Sequence, residues 1–331
     1  MRNKISMILA VLFVTAGLCA CGASAAAAGN ESGSGNGKLS IVTTIFPEYD
    51  WVKNIIGENP AGAEITLLLD NGVDLHSYQP TAADIVKISN CDIFIYVGGE
   101  SDKWVDDALM EAVNKDMIVI NLLDELGDAV KEEELVEGMQ GEEEEEECEE
   151  EGEEEGPEYD EHVWLSLRNA QVLCSSIEKA LEKADPFNAA LYKSNCDAYN
   201  TGLDALDKEY AAAVAAADKD TLLFADRFPF RYMTDDYGLK YYAAFVGCSA
   251  ESEASFETVV FLSEKVDELG LNNVCVIESS DGRIAETVIA NTEAKNAGVL
   301  MMDSLQSEVP ENTGYLEIMQ KNLDVLKEAL K

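Results

Sequence analysis

From residue 39 onwards, short apolar runs alternate with segments whose apolar residues recur every three or four positions. Residues 39–46, 65–69, 92–97 and 117–120 read as strands. Helices are predicted between them at 49–56, closed by Gly57, then after Thr81, and at about 102–113. Thr81 has the chemistry of a helix cap, and Asp84 lies three residues on, near the positive end of the helix dipole. The same order returns later, with strands predicted at 222–225, 241–246, 274–277 and 299–302. Ser255 opens a helix in which Phe256, Val259, Leu262, Val266 and Leu269 share one face, and Gly270 stops it. A last helix is predicted at about 314–330. Strands alternating with helices in this way imply mainly parallel sheets covered on both faces. Between the two halves, Tyr192, Cys196, Tyr199, Leu203, Leu206, Tyr210 and Val214 step by three and four. Asp185-Pro186 provides the start, and a helix over 186–217 would be roughly 45–50 Å long. No further heptads follow, so a coiled coil is set aside. The predicted fold class is α/β: two βα lobes with mainly parallel sheets joined by one long rigid helix.

The N-terminus reads differently. Arg2 and Lys4 precede an apolar stretch at 5–18, about fourteen residues and too short to span a bilayer comfortably. Leu18-Cys19-Ala20-Cys21-Gly22 resembles a bacterial lipobox. Cys21 is the expected lipidation site rather than Cys19, because small Ala20 precedes it; a plain signal peptide with an incidental cysteine is the alternative. The expected organisation is a lipoprotein signal peptide at 1–20 and a flexible Ala/Gly/Ser/Asn-rich tether at 21–38. An N-terminal lobe follows at 39–185, then a linking helix at 186–217 and a C-terminal lobe at 218–331. An acidic loop is expected at about 132–161. Its centre, 142–155, is Glu throughout except for Cys148 and Gly152, and such a run repels itself.

The formal net charge is −42. It excludes nucleic acid as a partner, argues against binding an acidic membrane through the protein surface, and favours cations. Cys91, Cys148, Cys174, Cys196, Cys248 and Cys275 form no CxxC pair. Cys91 and Cys275 lie in strand-like runs and read as small buried hydrophobes. One or two disulfides would suit an oxidising compartment.

There are two histidines. His76 lies in Gly72-Val-Asp-Leu-His-Ser-Tyr-Gln-Pro80, between a strand and a capped helix, and His162 lies in Asp160-Glu-His-Val-Trp-Leu165. A lone histidine is usually a surface or core residue. Two at loop-to-helix junctions of a βα lobe point to a metal, for which imidazole is the commonest ligand.

These two motifs resemble those of the lipoproteins that bind substrate for zinc and manganese ABC importers. That family reads approximately Pro-Gly-x-x-Pro-His-x-Tyr-Glu-Pro at the first and Asp-Pro-His-x-Trp-Leu at the second. Ile45-Phe-Pro47, Asp185-Pro186 and Tyr315-Leu-x-x-Met319-x-x-Asn322-Leu323 match as well, so the resemblance covers the chain from Leu39 on. It implies a metal cleft between the lobes, with His76 and His162 from the first. It also implies a lipid-anchored, extracytoplasmic monomer that hands a divalent metal to an ABC permease.

The second half departs from the family pattern. Arg227, in Asp226-Arg-Phe-Pro-Phe230-Arg-Tyr232, stands where the family has its third ligand, and arginine cannot bind a cation. Asp226 is a substitute ligand, or Arg227 forms a salt bridge that shapes the cleft. Glu278-Ser-Ser-Asp281-Gly-Arg283 resembles the manganese-type members, which nominates Asp281 and, after it, Glu278 as ligands. Each acid has an alternative role as a helix cap or as the partner of Arg227 or Arg283. Glu253 reads first as a helix N-terminal charge. The Glu run stands where zinc-uptake members carry a His-rich loop, and is either a collector of cations or a solvated insertion.

No Gly-x-Ser-x-Gly, His-Glu-x-x-His or phosphate loop is present, so binding is expected rather than catalysis. The alternatives are a metallo-hydrolase, a surface adhesin, or transport of a chelated or non-metal solute admitted by Arg227. Zinc is favoured over manganese as cargo. Affinity is expected to fall below about pH 6, where imidazoles protonate.

Overall fold

The computed structural model describes residues 38–70, 72–141, 158–249, 253–293, 295–306 and 313–331. The expected signal peptide and lipobox, the tether up to residue 37 and the whole Glu run at 142–155 lie outside them.

The first lobe contains β1 (Ser40–Thr43), α1 (Phe46–Ile56), β2 (Glu64–Leu67), α2 (Ala82–Asn90), β3 (Ile93–Tyr96), α3 (Trp104–Met110), β4 (Ile118–Asn121), α4 (Leu122–Leu126) and α5 (Leu167–Ala184). Its four strands lie parallel in the order β2-β1-β3-β4. The connecting helix α6 (Ala189–Ala215) has 27 residues and is about 40 Å long. The second lobe contains β5 (Thr221–Phe228), α7 (Arg231–Tyr237), β6 (Lys240–Val246), α8 (Phe256–Leu269), β7 (Asn273–Ile277), α9 (Arg283–Asn291), β8 (Gly298–Met302) and α10 (Tyr315–Ala329). Its sheet is also parallel, in the order β6-β5-β7-β8. The fold is therefore two parallel-sheet α/β lobes linked by one long helix, as the hydrophobic pattern predicts.

Helix α6 stands against α5, α1 and α10, burying Tyr192, Cys196, Leu203, Leu206 and Tyr210. It begins three residues after Pro186, because Asp185 Oδ2 accepts bonds from Asn188 Nδ2 (2.6 Å) and Tyr192 Oη (2.7 Å) and holds residues 186–188 as a turn. Helix α5 is not among the predicted elements, although Leu167, Ala170, Leu173, Cys174, Ile177 and Leu181 are buried at helical spacing. The expected strand position of Cys91 is also corrected: it is the buried residue that ends α2, while Cys275 is indeed in β7. Among the described residues all five cysteines are free thiols.

Three features carry the fold into the cleft. Thr81 and Asp84 form a reciprocal capping box at the start of α2, and Tyr78 Oη donates to Asp84 Oδ2 at 3.2 Å. The loop that bears His76 is thereby tied to α2. Trp164 Nε1 donates to the Ser304 carbonyl (2.8 Å) and Tyr315 Oη to the Trp164 carbonyl (2.6 Å), which joins the segment after His162 to the second lobe. The two ends of the acidic loop are also fixed. Glu132 pairs with Tyr159, and Gln140 pairs with Phe245 on the edge strand β6.

Candidate metal centre

The residues that converge here sit in loops and turns at the ends of helices and strands. His76 is in a single 3-10 turn, Leu75–Ser77, in the loop between β2 and α2. Asp74 caps that turn, its Oδ1 accepting from the His76 backbone N–H at 3.0 Å. His162 immediately precedes a second 3-10 turn, Val163–Leu165, ahead of α5. Cys248 lies two residues past the end of β6, where loops of parallel sheets commonly carry binding groups.

The two imidazoles meet. His76 Nε2 lies 3.2 Å from His162 Nε2. Two zinc–nitrogen bonds of about 2.05 Å at a tetrahedral angle place their nitrogens about 3.3 Å apart. One ligand atom each from His76, His162 and Cys248 lie within 4.8 Å of one another.

The outer nitrogens are both occupied. His162 Nδ1 is 3.0 Å from Asp160 Oδ1, which also accepts the His162 backbone N–H at 2.9 Å. A carboxylate only accepts, so the proton belongs on Nδ1 and the Nε2 lone pair is left facing the cleft. His76 Nδ1 lies 2.8 Å from Ser101 Oγ and 3.5 Å from Glu161 Oε2. The Asp160–His162 carboxylate–imidazole pair is the arrangement that orients histidine towards a metal. Burial, and then the neighbouring His162, pull the His76 pKa down to about 3, so the ring is neutral and able to ligate at ordinary pH. Burial pushes Glu161 up to about 7.

Close approach depends on two glycines. A Cβ on Gly247 would lie 2.9 Å from His162 Cε1 and 3.0 Å from the Phe228 carbonyl oxygen. Gly99 has φ +80°, and a Cβ there would lie 2.4 Å from Glu161 Oε1. Beside the ligand atoms is a cavity of about 300 Å³, and four of its lining residues are Glu100, Glu133, Glu158 and Glu161. Its negative charge attracts cations.

Not all the predicted candidates join this cluster. Arg227 Nη2 pairs with Asp74 Oδ2 at 2.6 Å, and its Nη1 donates to the Ser249 carbonyl at 3.2 Å. Burial alone would raise the Asp74 pKa, but the hydrogen bond and charge of Arg227 outweigh it and hold it low. Arg227 thus braces the His76 loop against the Cys248 loop. Asp226 Oδ1 accepts from the Arg227 backbone N–H at 2.9 Å, and burial raises its pKa. Glu278 accepts from Ser304 N–H (2.7 Å) and from Ser304 Oγ (2.8 Å). Asp281 is exposed and pairs with Arg283. Glu253 is exposed ahead of the Ser255 cap. Among the described residues, the group of possible ligand atoms that contains the two histidines includes Cys248 and none of these acids. Cysteine spacing gave no sign of Cys248. The signal that could have found it is its position just past a parallel strand, after a glycine.

The model of the family described as "Zinc-uptake complex component A periplasmic" matches residues 41–329. The high-affinity zinc uptake system protein ZnuA of Bacillus subtilis is 33% identical over 325 residues, covering 96% of this chain and 97% of its own. The zinc-binding lipoprotein AdcA of Streptococcus pneumoniae is 32% identical over 332 residues, and the match spans 98% of this chain but only 61% of AdcA. The crystal structure of the Zn(II)-bound ZnuA-like domain of S. pneumoniae AdcA aligns with TM-score 0.67 and 27% identity, over 89% of this chain and 99% of that domain. The chain belongs to the zinc-uptake complex component A family.

Proposed function

We propose that this chain is an extracytoplasmic, lipid-anchored substrate-binding protein that captures zinc between its lobes and delivers it to the permease of an ABC importer. The observation that carries this reading is the pair of imidazoles facing each other at 3.2 Å, each with its outer nitrogen occupied. Neutral nitrogen donors at that spacing suit zinc and, next to it, manganese. The names of the curated relatives support zinc. The anchor would be Cys21 after removal of residues 1–20, with 21–38 as tether; among the described residues no helix is long and apolar enough to cross a membrane. Arg227 does not favour an anionic chelate, since its guanidinium is engaged by Asp74 and the Ser249 carbonyl. The protein acts as a monomeric carrier that binds its cargo without turning it over.

The test is transport. A deletion strain should grow poorly and take up little radioactive zinc when zinc is limiting. The wild-type gene should restore both, and a His76→Ala/His162→Ala gene should restore neither. Full rescue by the double variant would reject the proposal.

A further inference from the structure

We infer that Cys248 supplies a thiolate as the third ligand to the cargo ion, so that the site selects thiophilic cations such as zinc over hard ones such as manganese. This rests on the carrier reading above and specifies its chemistry. The Sγ is already grouped with the two imidazoles, with no more than 4.8 Å between any pair of ligand atoms. A tetrahedral zinc with bonds of about 2.3 Å to sulfur and 2.05 Å to nitrogen needs about 3.5 Å between sulfur and nitrogen. A side-chain rotation or a small approach of the lobes covers the difference.

The loop carrying Cys248 is fixed from three sides. The Cys248 backbone N–H donates to Glu133 Oε1 at 3.0 Å. Arg227 holds the next carbonyl, that of Ser249, and its other nitrogen holds the cap of the His76 turn. Gly247 lies flat against the His162 ring, where any side chain would collide. The backbone is thus built to bring residue 248, and no bulkier neighbour, up to the histidines. Two of the acids that could have made a harder site are engaged elsewhere, Glu278 with Ser304 and Asp281 with Arg283, while Asp226 gives one oxygen to the Arg227 backbone and is not grouped with the histidines. One buried polar atom points the same way. Glu161 Oε2 is enclosed without a hydrogen-bond partner and lines the cavity that His76 and Cys248 also line. That cavity leaves room for an oxygen as fourth ligand. Two imidazoles, one thiolate and an oxygen form a set that zinc accepts readily, whereas manganese prefers oxygen donors.

Cobalt(II) titration of the metal-free full chain tests this. Stoichiometric cobalt should give a near-ultraviolet sulfur-to-metal charge-transfer band with the intense visible bands of a tetrahedral site. The charge-transfer band should vanish in Cys248→Ser and persist in Cys148→Ser. Zinc affinity should fall at least tenfold in Cys248→Ser, and the preference for zinc over manganese should shrink with it. In the unaltered protein, bound zinc should protect Cys248 from iodoacetamide, read by peptide mass spectrometry, which needs no variant to fold. A band unchanged in Cys248→Ser, or equal alkylation of Cys248 with and without zinc, would overturn the inference. If zinc then still depended on His76 and His162, the carrier reading would stand without it; tight zinc binding in His76→Ala/His162→Ala would defeat that reading itself.

Discussion

Acidifying the metal-free protein should cost it stability through His76. The folded protein holds this ring neutral down to about pH 3, first because it is buried and then because His162 is beside it. In the unfolded chain the ring takes a proton below about pH 6.5. Between these limits the unfolded state binds the extra proton, so stability rises with pH and is lost as pH falls from 6.5 towards 3. Integrated from pH 7 to pH 5, the loss is about 2 kcal/mol. Buried carboxyls act in the opposite sense. Burial lifts Glu48 to about 8 and Asp102 to about 6, so their contribution improves as pH falls. The informative quantity is therefore the difference between wild type and His76→Gln, in which these shared terms cancel. Urea unfolding of both proteins, metal-free, at pH 7, 6 and 5 gives it. The wild type should lose about 2 kcal/mol more than the variant over that range. Parallel losses, within about 0.5 kcal/mol, would show that the folded protein does not exclude the proton from His76 and would refute the reasoning. The same shift moves the onset of acid competition for metal at this ring well below the pH of about 6 that an ordinary histidine implies.

Other consequences are equally direct. Gly247→Ala should reduce stability by about 1–3 kcal/mol in urea unfolding, since the new methyl meets both the His162 ring and the Phe228 carbonyl. Asp160→Ala frees His162 Nδ1 and should weaken zinc binding roughly 10–100-fold by competition with a chelator of known affinity. Zinc capture at pH 8 should release about one proton, seen by calorimetry in buffers of different ionisation enthalpy. Burial, then Glu133 and Glu161, keep the Cys248 thiol protonated until metal arrives, whereas His76 has no proton to give. Cys248→Ser should release almost none.

The fold was legible because its signals are local. Strand runs, the Thr81 and Ser255 caps and the stripe from Tyr192 to Tyr210 are properties of neighbouring residues. Helix α5 carries the same signal and follows directly on the second histidine motif. The imidazole pair was legible because the chain has two histidines, each inside a recognisable motif. Its supporting groups were not. Asp160 and Glu161 read as letters of that motif until Asp160 is found on Nδ1 of His162 and Glu161 close to His76, 3.5 Å from its Nδ1. Cys248 lies 86 residues beyond His162 and past a strand of the other lobe, and only the folded chain brings them together. The Arg227–Asp74 pair spans 153 positions, so sequence could offer a salt bridge for Arg227 but not its partner. Glu278 looked like a ligand because its capture by Ser304 joins two strand ends that are adjacent only in the folded sheet.

Calorimetric titration of zinc into the metal-free full chain, beside the His76→Ala/His162→Ala double variant, probes the cleft most directly. The wild type should bind one zinc tightly per chain, and the double variant should lose that phase and keep only weak binding to its carboxylates. A tight, one-to-one isotherm that survives in the double variant would mean that the ion is not held between these two rings.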